Sequence, residues 1–151
     1  MGIIKVGEIA PDFTLVDVDD NKITLSDIEG KRVLLSFHPL AWTPVCIDQM
    51  RSLEREYERL KRNGIDMVLG VSVDPVPSKA VWAKSLGIED VVFVSDFEPK
   101  GEVSKSFGAY EEKIGTSSRA NILIDRDGKI EWVKQYKLSE LPSIGELLEN
   151  I

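Results

Sequence analysis

The chain has 151 residues with 19 basic and 26 acidic side chains, a net charge of −7 that argues against nucleic acid or anionic lipid as a partner. Its hydrophobic fraction of 42% and charged fraction of 30% are those of a globular protein, and no window approaches the ~18 uncharged apolar residues of a membrane span. One domain over residues 1–151 is expected, large enough to bury about 70% of its unfolded surface without a disulfide or metal. The first residues, Met1 to Glu8, lack a basic region followed by a long apolar core, so no secretory signal is visible. A single cysteine allows no internal disulfide, which suits a reducing, cytoplasmic location.

Phe13–Val16 and Lys22–Leu25 flank the turn Asp17–Asn21 and predict a hairpin. Arg32–Phe37 is the short apolar run of a central, doubly covered strand. The period then changes: Cys46, Met50, Leu53, Tyr57 and Leu60 form one stripe of an amphipathic helix running to about Asn63. Thr43 fits its N-cap, Pro44 its first position and Asn63-Gly64 its exit. Ile65–Val73 predicts a second buried strand, Ser78 caps a helix through Leu86, and Val91–Val94 predicts a third strand. Pro99 opens a short helix toward Phe107, and Ala120–Asp125 and Lys129–Lys137 bracket Arg126-Asp127-Gly128 as a hairpin. Pro142 starts a last helix ending at Ile151. The order implies an α/β fold, a mixed central sheet with helices on both faces, and ligands of such sheets bind where strands feed helices.

Cys46 stands at that edge, in the first turn of its helix. A free thiol has a pKa of about 8.5, lowered at a helix N-terminus by the unpaired N–H groups and the positive dipole end. Free cysteine is also a small hydrophobe, and Cys46 lies on an apolar stripe. Pro39 and Pro44 bracket a segment that is neither strand nor helix and wraps around the helix start, so the thiol is expected to face a concave pocket rich in N–H groups. Thr43, one turn before Cys46, can cap the helix and reach the sulfur, donating to it or to a bound oxygen while accepting from backbone.

The pattern Pro39-x-x-x-Thr43-x-x-Cys46 resembles the active-site signature of the peroxiredoxins, of the alkyl hydroperoxide reductase and thiol-specific antioxidant type. The resemblance spans nearly the whole chain: Gly7–Phe13 looks like the family's opening, Val71–Asp74 and Trp82 fit its next strand and helix, and Arg119–Asp125 resembles the strand with the active-site arginine. It implies a thioredoxin-like fold and a thiol-dependent peroxidase acting on hydrogen peroxide and organic hydroperoxides. Cys46 would be the peroxidatic nucleophile, Pro39 its shield, Thr43 the residue positioning peroxide and Arg119 the stabiliser of charge. Some relatives place a second cysteine five residues after the first, where this chain has Arg51, so the sulfenic acid must be reduced from outside. A small thiol or a thioredoxin-like or glutaredoxin-like protein would do this. The resemblance further suggests a homodimer and no cofactor.

Two residues depart from the family pattern. Gln49 stands where an acid is common, which removes an anchor for the arginine or leaves a helix-surface residue. His38 replaces an aromatic ring and reads either as a pocket residue or as one packed at a strand end. With one histidine and one cysteine a metal site is not expected. Trp42 lines the pocket or meets a subunit. A redox sensor using the same sulfenic acid is the alternative reading. Thiol transfer follows from the Thr43-x-x-Cys46 spacing, and protease chemistry is weakest because His38 is not obviously aimed at Cys46.

Overall fold

The computed structural model describes residues 2–151; Met1, part of the stretch read for a leader, lies outside them. Seven strands form one mixed sheet in the order β2-β1-β5-β4-β3-β8-β9. The strands are β1 (Thr14–Asp17), β2 (Lys22–Thr24), β3 (Val33–Phe37), β4 (Met67–Ser72), β5 (Val92–Ser95), β8 (Arg119–Ile124) and β9 (Ile130–Tyr136). A separate pair, β6 (Tyr110–Glu111) and β7 (Thr116–Ser117), is too short to leave a period in the sequence. The pairs β3·β4 and β4·β5 are parallel, and the other pairings of the large sheet are antiparallel.

The helices are α1 (Pro44–Arg55), α2 (Tyr57–Arg62), α3 (Val76–Leu86), α4 (Glu102–Ser106) and α5 (Ile144–Glu149). Two successive crossovers, β3 to β4 and β4 to β5, step the same way along the sheet, and their common handedness puts their helices on one face. Leu34 of β3, Met50 and Leu53 of α1, Leu60 of α2, Trp82 of α3 and Leu147 of α5 share the core on that side. Val33, Leu35 and Phe37 point the other way, onto Phe13, Val103 and Phe107. Every residue of β3 is buried, as expected of a strand covered on both faces.

Several boundaries differ from the sequence expectation. The helix read as continuous from Cys46 to Asn63 is divided at Glu56 (φ −95°, ψ 7°). Bonds from Glu56 N–H to Ser52 and from Leu60 N–H to Glu56 bridge the break, which keeps the stripe on one face. Helix α3 begins at Val76, not at Ser78, with Pro77 in its second position, where proline is tolerated because first-turn N–H groups have no intrahelical partner. Helix α4 begins at Glu102 rather than Pro99; the Asp96 carboxylate accepts from the N–H groups of Val103 (3.1 Å) and Ser104 (2.8 Å) and fixes its start. Helix α5 starts after Ser143, whose hydroxyl accepts from Glu146 N–H at 3.1 Å, and stops at Glu149, short of the expected Ile151.

Gly70 of β4 marks close packing between α1 and the sheet. A Cβ there would lie 2.7 Å from Met50 Sδ and 3.2 Å from the Phe93 ring. Gly70→Ala is expected to destabilise the fold by about 1–3 kcal/mol through overpacking, read as a lower urea midpoint at unchanged slope.

Candidate active site

Register places the site. Phe37 pairs with Ala120, so Arg119 at the start of β8 lies beside the point where the chain leaves β3. His38 extends the strand pairing by one bond, from its N–H to Val71 O at 2.9 Å. Pro39 is buried, the chain turns through Leu40–Trp42, and Pro44 opens α1 with Cys46 in its third position.

The turn is fastened to the junction of β4 and α3. Asp74 Oδ2 accepts the Ala41 N–H at 2.8 Å and the Ser72 hydroxyl at 2.6 Å. Trp42 Nε1 donates to Ser78 Oγ at 3.2 Å, and its φ of 73° is uncommon for a residue with a side chain. Strain held in place by surrounding bonds is typical of functional loops.

Thr43 holds the N-cap position, as expected, but its hydroxyl caps no helix N–H. It donates instead to Leu40 O at 2.7 Å, closing the turn. A hydroxyl has one proton, so this bond leaves Thr43 Oγ1 with acceptor capacity only, the reverse of the expected donor role.

Cys46 is fully buried, packed with Leu34, Ala41 and Met50. The expected open pocket at the sulfur is therefore corrected: the thiol leads the apolar stripe of α1, and that stripe faces the sheet. A cavity of about 530 Å³ lies elsewhere, between Ala10, Ile28 and the Asp125–Gly128 turn at the far end of β8.

The expected partner is nevertheless present. Arg119 Nη1 lies 3.3 Å from Cys46 Sγ and donates to Gln49 Oε1 at 2.8 Å. Nε and Nη2 both donate to Leu138 O, at 3.0 and 2.7 Å. The guanidinium is thus locked on a residue that is only 3% exposed. Its partners besides sulfur are neutral oxygens.

Gln49 is neither a surface residue nor a lost anchor. Buried at 1% exposure, it accepts from Arg119 while its amide donates to Ser36 Oγ (2.8 Å) and Phe37 O (3.1 Å). An amide both donates and accepts, so it ties the arginine to the strand, which a carboxylate could not do without a proton. Ser36 continues the chain to Asn121 Oδ1 at 2.7 Å. Gln49→Leu keeps the volume and strands these groups; a loss of about 1–3 kcal/mol in urea unfolding is expected.

His38 is fully buried, in the packed arrangement that was one of its two readings. Burial, then the positive charge of Lys79 with a smaller contribution from Arg119, hold its pKa well below the usual 6.5. The neutral ring has Lys79 Nζ at 3.5 Å from Nε2. Where Lys79 is an ammonium it can only donate, so Nε2 accepts and the ring proton sits on Nδ1, which is buried with no partner among the described residues.

Lys79 is the charged residue that sequence reading missed. It is fully buried, with Nζ donating to Gly70 O (2.8 Å) and Val94 O (2.7 Å). A signal was present: Lys79, Trp82 and Ala83 share the buried face of α3, and lysine interrupts it. Trp42 is half-exposed and leans on Trp82, with ring centroids 6.4 Å apart.

A helix-borne thiol against a locked arginine, at the edge of a thioredoxin-like sheet, fits the class of the thiol peroxidases, and sequence comparison places the chain there. The chain belongs to the AhpC/TSA family, whose profile matches residues 6–133; it is a peroxiredoxin with one cysteine. It is 36% identical to alkyl hydroperoxide reductase E of Mycobacterium tuberculosis over 143 residues, covering 92% of this chain and 90% of that protein. It is 38% identical to peroxiredoxin Bcp of Escherichia coli K12 over 139 residues, covering 88% of this chain and 86% of the relative. Among solved structures, reduced 2-Cys peroxiredoxin of Plasmodium vivax superimposes with a TM-score of 0.85 at 28% identity, over 96% of this chain and 79% of that one.

Proposed function

We propose that Cys46 is the peroxidatic nucleophile of a single domain over residues 1–151, with Arg119, Thr43 and Pro39 around it. The observation carrying this reading is the 3.3 Å approach of a buried guanidinium, otherwise held by neutral oxygens, to the sulfur. A buried cation without a counter-ion is costly, and the thiolate is the anion this site can supply. The sulfur attacks the distal oxygen of ROOH, the O–O bond breaks, and ROH leaves after taking up a proton, giving Cys46 sulfenic acid. Arg119 and the first-turn N–H groups stabilise charge on the departing oxygen. Thr43, with its proton committed to Leu40, orients peroxide by accepting from its O–H. Buried Pro39 shields the sulfur from water.

Because the sulfur is covered, the oxidant enters by displacing the turn before α1, where Leu40 and Trp42 are 41% and 49% exposed. Those two side chains also offer an apolar patch to a second subunit, and we include a homodimer in the proposal. With one cysteine in the chain, an external thiol resolves the product. One R′SH condenses with the sulfenic acid to a mixed disulfide and water, and a second releases Cys46 as thiol with R′SSR′. The reductant is a small thiol, or a thioredoxin-like or glutaredoxin-like protein, in a reducing cytoplasm; no described helix is long and apolar enough to cross a membrane. Sustained loss of hydrogen peroxide or an organic hydroperoxide with dithiothreitol or a thioredoxin system is the test. A single stoichiometric oxidation without turnover in all of these would favour the sensor reading instead.

A further inference from the structure

Lys79 has no part in the attack on peroxide or in its resolution, yet burying an ammonium is costly, and a carbonyl pin could have been made by a neutral amide. Its position is specific. Nζ bridges Gly70 O of β4 and Val94 O of β5 and lies 5.3 Å from the centre of the Phe93 ring. Gly70 is the residue on which Met50 rests, and Met50 is one turn beyond Cys46 on the same face of α1. In the sheet order, β5 and β8 lie on opposite sides of the β4·β3 pair. Lys79 and Arg119 therefore flank the start of α1 from opposite sides. His38 lies between them, with Lys79 Nζ 3.5 Å from its ring and its charge opposed by both cations.

We propose that Lys79 is a positioning residue for the peroxidatic cysteine: its buried ammonium, held by Gly70 O and Val94 O, is the second cation stabilising the Cys46 thiolate across the site from Arg119. It acts through the field and through the neutral His38 it orients, not by touching peroxide. His38 after β3 lies against it, and the groups whose charges act on it are Cys46 of α1, Asp74 after β4 and Asp96 after β5. Burial pushes its pKa down to about 7, while Asp74, then Cys46 and Asp96, oppose the fall. The ammonium is accordingly present below neutrality and titrates away above it. Its help to the thiolate has the same pH dependence.

This rests on Cys46 as the reacting atom, but its test does not need peroxide turnover. Alkylation of Cys46 by iodoacetamide is measured from pH 5.5 to 9.5 in the wild type, Lys79→Met and Lys79→Arg. Lys79→Met should react about tenfold more slowly at pH 6. The deficit should vanish by pH 9, and Lys79→Arg should restore most of the acid-side rate. An equal deficit at every pH, or none at pH 6, overturns the proposal. A second arm leaves Lys79 intact, because coupling between the two groups is reciprocal. NMR titration of the Lys79 side chain should give a lower midpoint in Cys46→Ser, where no thiolate forms, than in the wild type; equal midpoints overturn the proposal too. A wild type that alkylates as expected but ignores peroxide would sink the peroxidatic assignment and leave this coupling standing.

Discussion

Cys46→Ser is expected to consume no peroxide above the uncatalysed rate, with any thiol reductant. Only the thiolate, not a hydroxyl, is the nucleophile near neutral pH, and no other sulfur but the three methionine thioethers exists in the chain. The loss is chemical, since serine is slightly smaller and Arg119 Nη1, now 3.3 Å from the sulfur, remains a donor for the new oxygen. Intact-mass spectra after stoichiometric peroxide should show one added oxygen in the wild type and none in the variant. Peroxide consumption by Cys46→Ser at the wild-type rate would remove the assignment.

Much of the fold was legible because its elements have strong periods. The run Val33–Phe37 reads as a covered strand and is one, and Arg126-Asp127-Gly128 turns β8 into β9 with Gly128 at φ 81°. What was missed at element ends is set by single side chains and backbone angles. The Asp96 carboxylate decides where α4 begins, and Glu56 keeps its helical bonds while its backbone departs from helical angles. No local period encodes either.

The meeting of Cys46 with Arg119 was legible in the sequence, the neutral wiring around them less so. Cys46 and Arg119 are 73 residues apart and meet because β3 and β8 pair in one register. Gln49 looked like a loss of anchorage because the expectation was an ion pair; the amide serves by donating to Ser36 and Phe37 while accepting from Arg119. Burial of the sulfur was foreseeable from its stripe, which the helix-terminus argument overrode. Proline spacing predicted a wrapped loop correctly, but the Asp74 and Ser78 bonds draw that loop down over the thiol.

Arg119 is the position where charge and geometry separate cleanly. Arg119→Lys keeps a cation on β8, but one ammonium cannot donate to Leu138 O, Gln49 Oε1 and Sγ in the directions the planar fork reaches. Arg119→Met removes the charge as well. Removing one preorganised donor to developing charge costs ~2.7–4 kcal/mol, or about 10²–10³ in rate. Stopped-flow measurement of peroxide reduction should place Arg119→Met at the large end of that range and Arg119→Lys at the small end. Stability should move less than activity, because exchanging a buried charge for an apolar side chain relieves its desolvation even as Leu138 O loses two donors. A Met variant within threefold of the wild type would mean that the guanidinium is only a strut between β8 and Leu138, and that the first-turn N–H groups alone stabilise the departing oxygen.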